Sequence, residues 1–242
     1  MCTVSWAKRP SGYSLFFNRD ESRKRPSGLP PELTETEYTS FLCPRDPVGG
    51  GTWLLVNRYG LSLGLLNYYE LEMSYQPENP QSRGQLPIQF ANCQLSSDVG
   101  QAITKTDLTP YPPFHLLAVD RNASAVLATW NGKTISLQNP DIYDLPISTS
   151  SFKTDEVIGL RKQYFEEQVL PRLEQDEALK QFHANKQPSP DTHAVLMTRP
   201  DAKTVSITQI KVEGNQAQMN YRARPDDSEV LDPPVSESIE LR

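Results

Sequence analysis

Met1-Cys2 opens the chain. Aminopeptidases remove an initiator methionine that precedes a small side chain, so the mature chain is expected to begin at Cys2 with an unblocked amine. A thiol beside an α-amine that titrates near ~8 is a nucleophile carrying its own general base. A charged run, Asn18-Arg19-Asp20-Glu21 followed by Arg23-Lys24-Arg25, lies at the end of the second strand-like stretch. There it is in position to converge on Cys2.

Other chemistries find little support. Cys2, Cys43 and Cys93 are dispersed and form no CxxC pair, and His115, His183 and His193 lie far apart. Neither a disulfide framework nor a metal site is expected. The net charge of −6 leaves no broad basic excess, so nucleic acid is not an expected partner. No apolar run approaches the roughly 20 residues of a membrane-spanning helix, and no signal peptide is evident. A cytoplasmic protein with a small-molecule substrate or a hydrophobic ligand is expected; the oligomeric state is left open.

The elements that must position Cys2 read mostly as hairpins. CTVSWA and GYSLFFN pair across KRPS, and TWLLV and LSLGLLN pair around Asn57-Arg58-Tyr59-Gly60. Residues 22–51 read as loop, and 81–106 as helix broken at Pro87. FHLLAVD, SAVLATW and KTISLQ read as strands, the last two joined by Asn131-Gly132. Thr154 to about Asn185 reads as helix, capped by Thr154 and divided at Pro171. HAVLMTR, TVSITQIKVE and NQAQMNYRA close the set; in the second the apolar phase slips after Ile207, as a bulge or a strand end would make it. The pattern suits antiparallel sheets with helices packed outside them. One domain is expected over residues 1–222. Residues 223–242, with two arginines against six acidic residues, read as a solvated, disordered and dispensable tail.

FFNRDESRKRP at 16–26 resembles the signature of the NRDE family of transport and Golgi organisation 2-like proteins. Met1-Cys2, Asn18-Arg19-Asp20-Glu21, Arg25-Pro26, Gly50-Gly51-Thr52-Trp53 and Gly60 match in order, and Arg83-Gly84 and TVSITQIKV also resemble family positions. The N-terminal strand and NRYGLSLGLLNY at 57–68 are more distantly similar to choloylglycine-hydrolase-type amidases. Those are N-terminal nucleophile (Ntn) hydrolases, so the resemblance implies an α+β, four-layer αββα sandwich.

The same resemblance implies roles. Cys2 would attack an amide carbonyl, Asp20 would position the α-amine, and Asn67 would steady the oxyanion. Arg19, Arg25 and Ser151 would contact an anionic or acylated substrate. Two positions depart from the amidases: Phe17 stands where they carry an arginine, and Thr149, Ser150 and Ser151 replace a second asparagine. Two readings follow. One is a cysteine amidohydrolase of a non-peptide C–N bond that needs no cofactor. The other is a non-catalytic haem or lipid/acyl-CoA binding and trafficking protein on the same fold.

Overall fold

The expected first hairpin forms as β1 (Cys2–Arg9) and β2 (Gly12–Ser22). A computed structural model describes residues 2–69, 75–225, 228 and 230–242, so the fate of Met1 lies outside the described residues. Segment 22–51, expected to be loop, instead carries β3 (Leu29–Glu35) and β4 (Ser40–Arg45). Pro30 and Pro31 obscure β3 in the sequence. Proline cannot donate to a ladder, and β3 tolerates it as the outermost strand of its sheet, with a register shift between Leu29 and Glu32.

β5 (Leu54–Asn57) and β6 (Ser62–Asn67) turn through Gly60, whose φ of 75° suits a residue without Cβ. Two helices follow, α1 (Gln85–Gln89) and α2 (Ser96–Ile103). Pro87 sits in the first turn of α1, where its missing N–H is not needed, and the break comes after Gln89. β7 (Phe114–Val119), β8 (Ala125–Trp130) and β9 (Ile135–Gln138) are the three strands expected there.

β10 (Ile147–Thr149) leads to α3 (Thr154–Gln168) and α4 (Asp176–His183), divided around Pro171 by a 3-10 turn. Thr154 does not cap α3. It lies inside the first turn, and its Oγ1 donates to the Ser150 carbonyl at 2.9 Å. β11 (Ala202–Glu213), β12 (Gln216–Ala223) and β13 (Val235–Glu240) complete the fold. β11 has a register irregularity between Thr204 and Ser206, whereas its pairing runs unbroken after Ile207, where the apolar phase slips.

Two antiparallel sheets result, in the orders β10-β1-β2-β11-β12-β13 and β3-β4-β5-β6-β7-β8-β9. Val4, Leu15 and Phe17 of the first sheet meet Leu54, Val56 and Leu117 of the second. Leu55, Leu63 and Leu116 point the other way, into a second core with Leu86, Val99 and Ile103 of α1 and α2. Alternate side chains of the second sheet thus enter two different apolar cores, so its strands read as unbroken hydrophobic runs. Phe165 of α3 and Leu179 and Phe182 of α4 pack on the first sheet. The four layers are α, β, β, α, as expected.

Two further expectations need correction. HAVLMTR is buried but is not a strand, apart from a single bridge between Thr198 and Lys203. Side chains take the carbonyls that a ladder would have used. Arg161 donates to those of His193 (3.0 Å) and Ala194 (2.6 Å), Asn18 to Val195 (2.9 Å), and Arg224 to Met197 (3.1 Å).

The C-terminal segment is not a detached tail either. β13 pairs with β12 from Val235 to Glu240, and Ile239 and Leu241 are buried in the core between the layers. The alternation of SESIE masks one apolar side chain among acids. Deleting residues 235–242 is expected to remove roughly 3–6 kcal/mol, the burial of two large aliphatic side chains. Urea unfolding of the truncated chain checks this, and an unchanged midpoint would contradict it.

Candidate active site

β1 runs between β10 and β2, which sets Cys2 opposite Thr149 on one side and Arg19 on the other. Strand alternation turns Cys2, Val4 and Trp6 toward the second sheet. The Cys2 backbone N–H donates to Thr149 Oγ1 at 3.1 Å, and the Asp20 backbone N–H faces the Cys2 sulfur. Burial pushes the thiol up to about 11, and the Asp20 carboxylate adds to the rise. Cys2 therefore keeps its proton at neutral pH, and any attack by its sulfur needs a base.

Asp20 and Arg19 are neighbours on β2 and face opposite ways. The Asp20 carboxylate accepts from Thr204 Oγ1 at 2.6 Å and lies 3.7 Å from Arg161 Nη1, both buried. The register that pairs Cys2 with Arg19 puts Asp20 one step past the start of β1. That is where the amine of a chain beginning at Cys2 would lie. Asn67, at the end of β6, donates one Nδ2 hydrogen to the Tyr69 hydroxyl at 3.0 Å, which leaves the second for a ligand.

Cys2, Asp20 and Asn67 converge on one cleft of about 460 Å³, which Arg19 and Arg25 also line. Both arginines already face carboxylates. Arg25 lies 2.5 Å from Asp46, while Arg19 lies 3.4 Å from Glu21 and stacks 4.1 Å from the Trp53 ring centroid. Ser151 is not brought to Cys2. It is exposed and lines two neighbouring clefts, one of them shared with Asp20 and Asn67.

Three residues of this region escaped the sequence reading of roles. Thr149 was noted only as an alternative to an asparagine. Arg161 sits with Val157 and Phe165 on the buried stripe of α3, and a cation in an apolar stripe was the available signal. Arg83 lines the cleft beside Gly84. A Cβ on Gly51 would come within 2.4 Å of the Gly84 carbonyl, and Thr52 N–H donates to that carbonyl at 2.9 Å. The two glycine motifs are thus one backbone contact, and it fixes the position of Arg83.

Behind the cleft, between the first sheet and α4, Asn18 Nδ2 donates to the carbonyls of His183 and Val195. Its oxygen is then the acceptor for His183 Nδ1–H at 2.8 Å, and His183 Nε2 accepts from Ser5 at 2.7 Å. The order Ser, His, Asn resembles a nucleophilic relay, but all three side chains are sealed from solvent, so it serves as a structural pin.

That pin sets a pH dependence. Burial draws His183 from 6.5 down to about 3. The unfolded chain therefore takes up a proton below 6.5 that the folded chain refuses until about 3, and stability falls as pH falls through that window. His183 alone is expected to contribute roughly 1.4 kcal/mol per pH unit there. His115, drawn down to about 4 by burial, acts in the same direction. Unfolding free energies from pH 7 to 5 on wild type and His183→Asn measure the slope, which should be shallower in the variant.

A larger cleft of about 740 Å³ opens at the other end of β1, around Trp6, Lys8 and Asp120, with no cysteine in its walls. Among the described residues, no cluster of three or more His, Cys, Asp or Glu side chains is placed to hold a metal ion. Among the same residues, no helix is long and apolar enough to cross a membrane.

A family model described as "Transport and Golgi organisation 2" matches residues 1–224. No curated protein matches the sequence. Among solved structures, penicillin V acylase from Agrobacterium tumefaciens is similar at a TM-score of 0.62 and 13% identity, over 100% of this chain and 86% of that one. The C2A mutant of conjugated bile acid hydrolase from Clostridium perfringens gives 0.58 at 13% identity, over 100% and 92%. The Caenorhabditis elegans N-acylethanolamine-hydrolyzing acid amidase ortholog gives 0.60 at 11% identity, over 87% and 92%. At such identities the likeness establishes the fold, that of the Ntn hydrolases.

Proposed function

The chain belongs to the Transport and Golgi organisation 2 family, and from that membership and the geometry of its cleft we propose that it is an N-terminal-cysteine hydrolase of a small amide. The carrying observation is the meeting of Cys2, Asp20 and Asn67 in one cleft at the start of β1. With Met1 removed, the Cys2 α-amine takes the thiol proton as sulfur attacks the amide carbonyl. Thr149 and Asp20 orient that amine, and the free Asn67 Nδ2 hydrogen meets the oxyanion. The C–N bond then breaks, and the amine returns its proton to the leaving nitrogen. Water cleaves the thioester in the second half-reaction, with the amine again as base. The structural neighbours are named for cleaving acyl amides, which supports this reaction class.

The haem alternative fits these residues poorly. Beside Trp53, Leu65 and two prolines, the walls carry Arg19, Arg25, Arg83, Asp20, Glu21 and Asp46, a largely charged lining where a porphyrin needs broad apolar faces. We also assign the protein to a reducing, cytoplasmic setting, in keeping with three free cysteines.

The test is intact-mass spectrometry of the mature protein incubated with a panel of N-acyl amides. An acyl adduct on Cys2 that is absent in Cys2→Ala supports the reading. A retained Met1 or an acetylated Cys2 removes the proposed base and sinks it.

A further inference from the structure

The charges around the cleft do not cancel pair by pair. Asp20 lies 3.7 Å from Arg161, Asp46 lies 2.5 Å from Arg25, and Glu21 lies 3.4 Å from Arg19. Arg19 also lies 3.9 Å from Asp46 and Arg25 3.8 Å from Glu21, so the three carboxylates in the walls are matched by three arginines, Arg161, Arg25 and Arg19, as a network. Arg83 is the cation left over. Nη1 donates to the Pro113 carbonyl at 2.8 Å, and no carboxylate among the described residues lies within ion-pair distance of its guanidinium. It is half-buried, and its charge is within electrostatic range of Tyr69, Cys2, Glu21 and Arg25, none of them in ion-pair contact with it. The Gly51–Gly84 contact holds its backbone segment against Thr52, and the bond to the Pro113 carbonyl holds its guanidinium in the wall.

We propose that Arg83 anchors a single negative charge on the ligand, so that the cleft selects a small amide bearing a carboxylate or a comparable monoanionic oxygen group. The specificity part of this proposal rests on the hydrolase reading, since it places the ligand's reacting carbon beside Cys2. The anchoring part does not depend on turnover. A guanidinium with free donors in a partly desolvated wall suits an oxyanion, and one uncompensated charge suits one anion better than a doubly charged phosphate. Arg19 and Arg25 then shape the cleft without serving as the anchor. Their positive charge is spent on Glu21 and Asp46.

Two alkylating reagents that differ in charge supply the test. In both, the Cys2 sulfur forms a bond to carbon, iodide leaves, and the thiol proton goes to buffer. Iodoacetate carries a carboxylate and iodoacetamide does not. The ratio of their rates at Cys2, read by mass spectrometry, is compared with the ratio at partly exposed Cys93 in the same molecule. The ratio at Cys2 is expected to exceed that at Cys93 roughly tenfold, the effect of one charge-assisted contact, and to fall with added salt. Arg83→Gln should abolish the excess, and Arg83→Lys should retain much of it. Melting temperatures confirm that both variants fold.

Equal ratios at Cys2 and Cys93 in the wild type would overturn the proposal without any variant. An excess that survives Arg83→Gln would overturn it too, as would failure of both reagents to reach Cys2. A protein that shows the excess but forms no acyl adduct with any amide would keep the anchor and lose the hydrolase reading. An acyl adduct without the excess would do the reverse.

Discussion

One extra residue placed ahead of Cys2, such as a glycine left after removal of a fusion tag, is expected to cut amide hydrolysis by roughly 10²–10⁴-fold. The magnitude follows from the thiol. Burial pushes Cys2 up to about 11, so attack at neutral pH depends on transfer of its proton. No histidine lines the cleft. His115 is engaged with Thr129, His183 with Asn18 and Ser5, and His193 with Thr192. Asp20 is held by Thr204 beside Arg161. Among the described residues no other base is placed to take this proton, which leaves the α-amine of a chain that begins at Cys2, and an added residue turns that amine into an amide nitrogen that cannot accept a proton. Folding should be little affected, because the Cys2 N–H that donates to Thr149 survives the change. The measurement compares turnover of both forms with melting temperature as the control. Equal turnover would assign the proton transfer to some other group.

Arg161→Met should produce the largest loss of stability among single substitutions near the site. Arg161 donates to Thr3 Oγ1 at 2.7 Å and to the carbonyls of His193 and Ala194, and it sits beside Asp20. Methionine fills much of the space but supplies no donor. It leaves two buried carbonyls, a hydroxyl and a carboxylate short of a partner. Breaking a buried pair of this kind costs roughly 3–5 kcal/mol, or about 10 °C in melting temperature for a chain of this size. A cycle with Asp20→Asn tests the cause. If the ion pair matters, the double variant should lose less than the two single losses combined. Strict additivity would mean that Arg161 acts only through Thr3 and the 193–194 carbonyls.

These two residues also show what the sequence could and could not convey. Cys2, Asp20 and Asn67 were legible through short motifs that resemble those of choloylglycine-hydrolase-type amidases; they line one cleft, Cys2 and Asp20 from the first sheet and Asn67 from the second. Arg161 was not. It comes from a helix 141 positions beyond Asp20, and only the packing of α3 on the first sheet brings the two together. Its sole local trace is a cation where the stripe of Val157 and Phe165 calls for an apolar residue.

Arg19 and Arg25 were read as free charges because sequence does not reveal that Asp46 lies opposite them. HAVLMTR had the composition of a strand. Its carbonyls went to Arg161, Asn18 and Arg224, a competition no periodicity records. β3 was missed for the opposite reason: its prolines argue against pairing, and only its place at a sheet edge makes them tolerable.

The contact between Cys2 and Thr149 spans 147 positions, and that separation acts as a clock. Cys2 gains its neighbour in β10 only after Thr149 has left the ribosome. At the usual pace of synthesis this is roughly ten to thirty seconds after Cys2 itself emerges. Throughout that interval the start of β1 lacks one of its two flanking strands, and a processing enzyme can reach the terminal peptide bond. Once β10 docks, Cys2 is flanked on both sides and buried. The start of β1 is thus most open to other molecules while the chain is nascent and least open once both neighbours are in place.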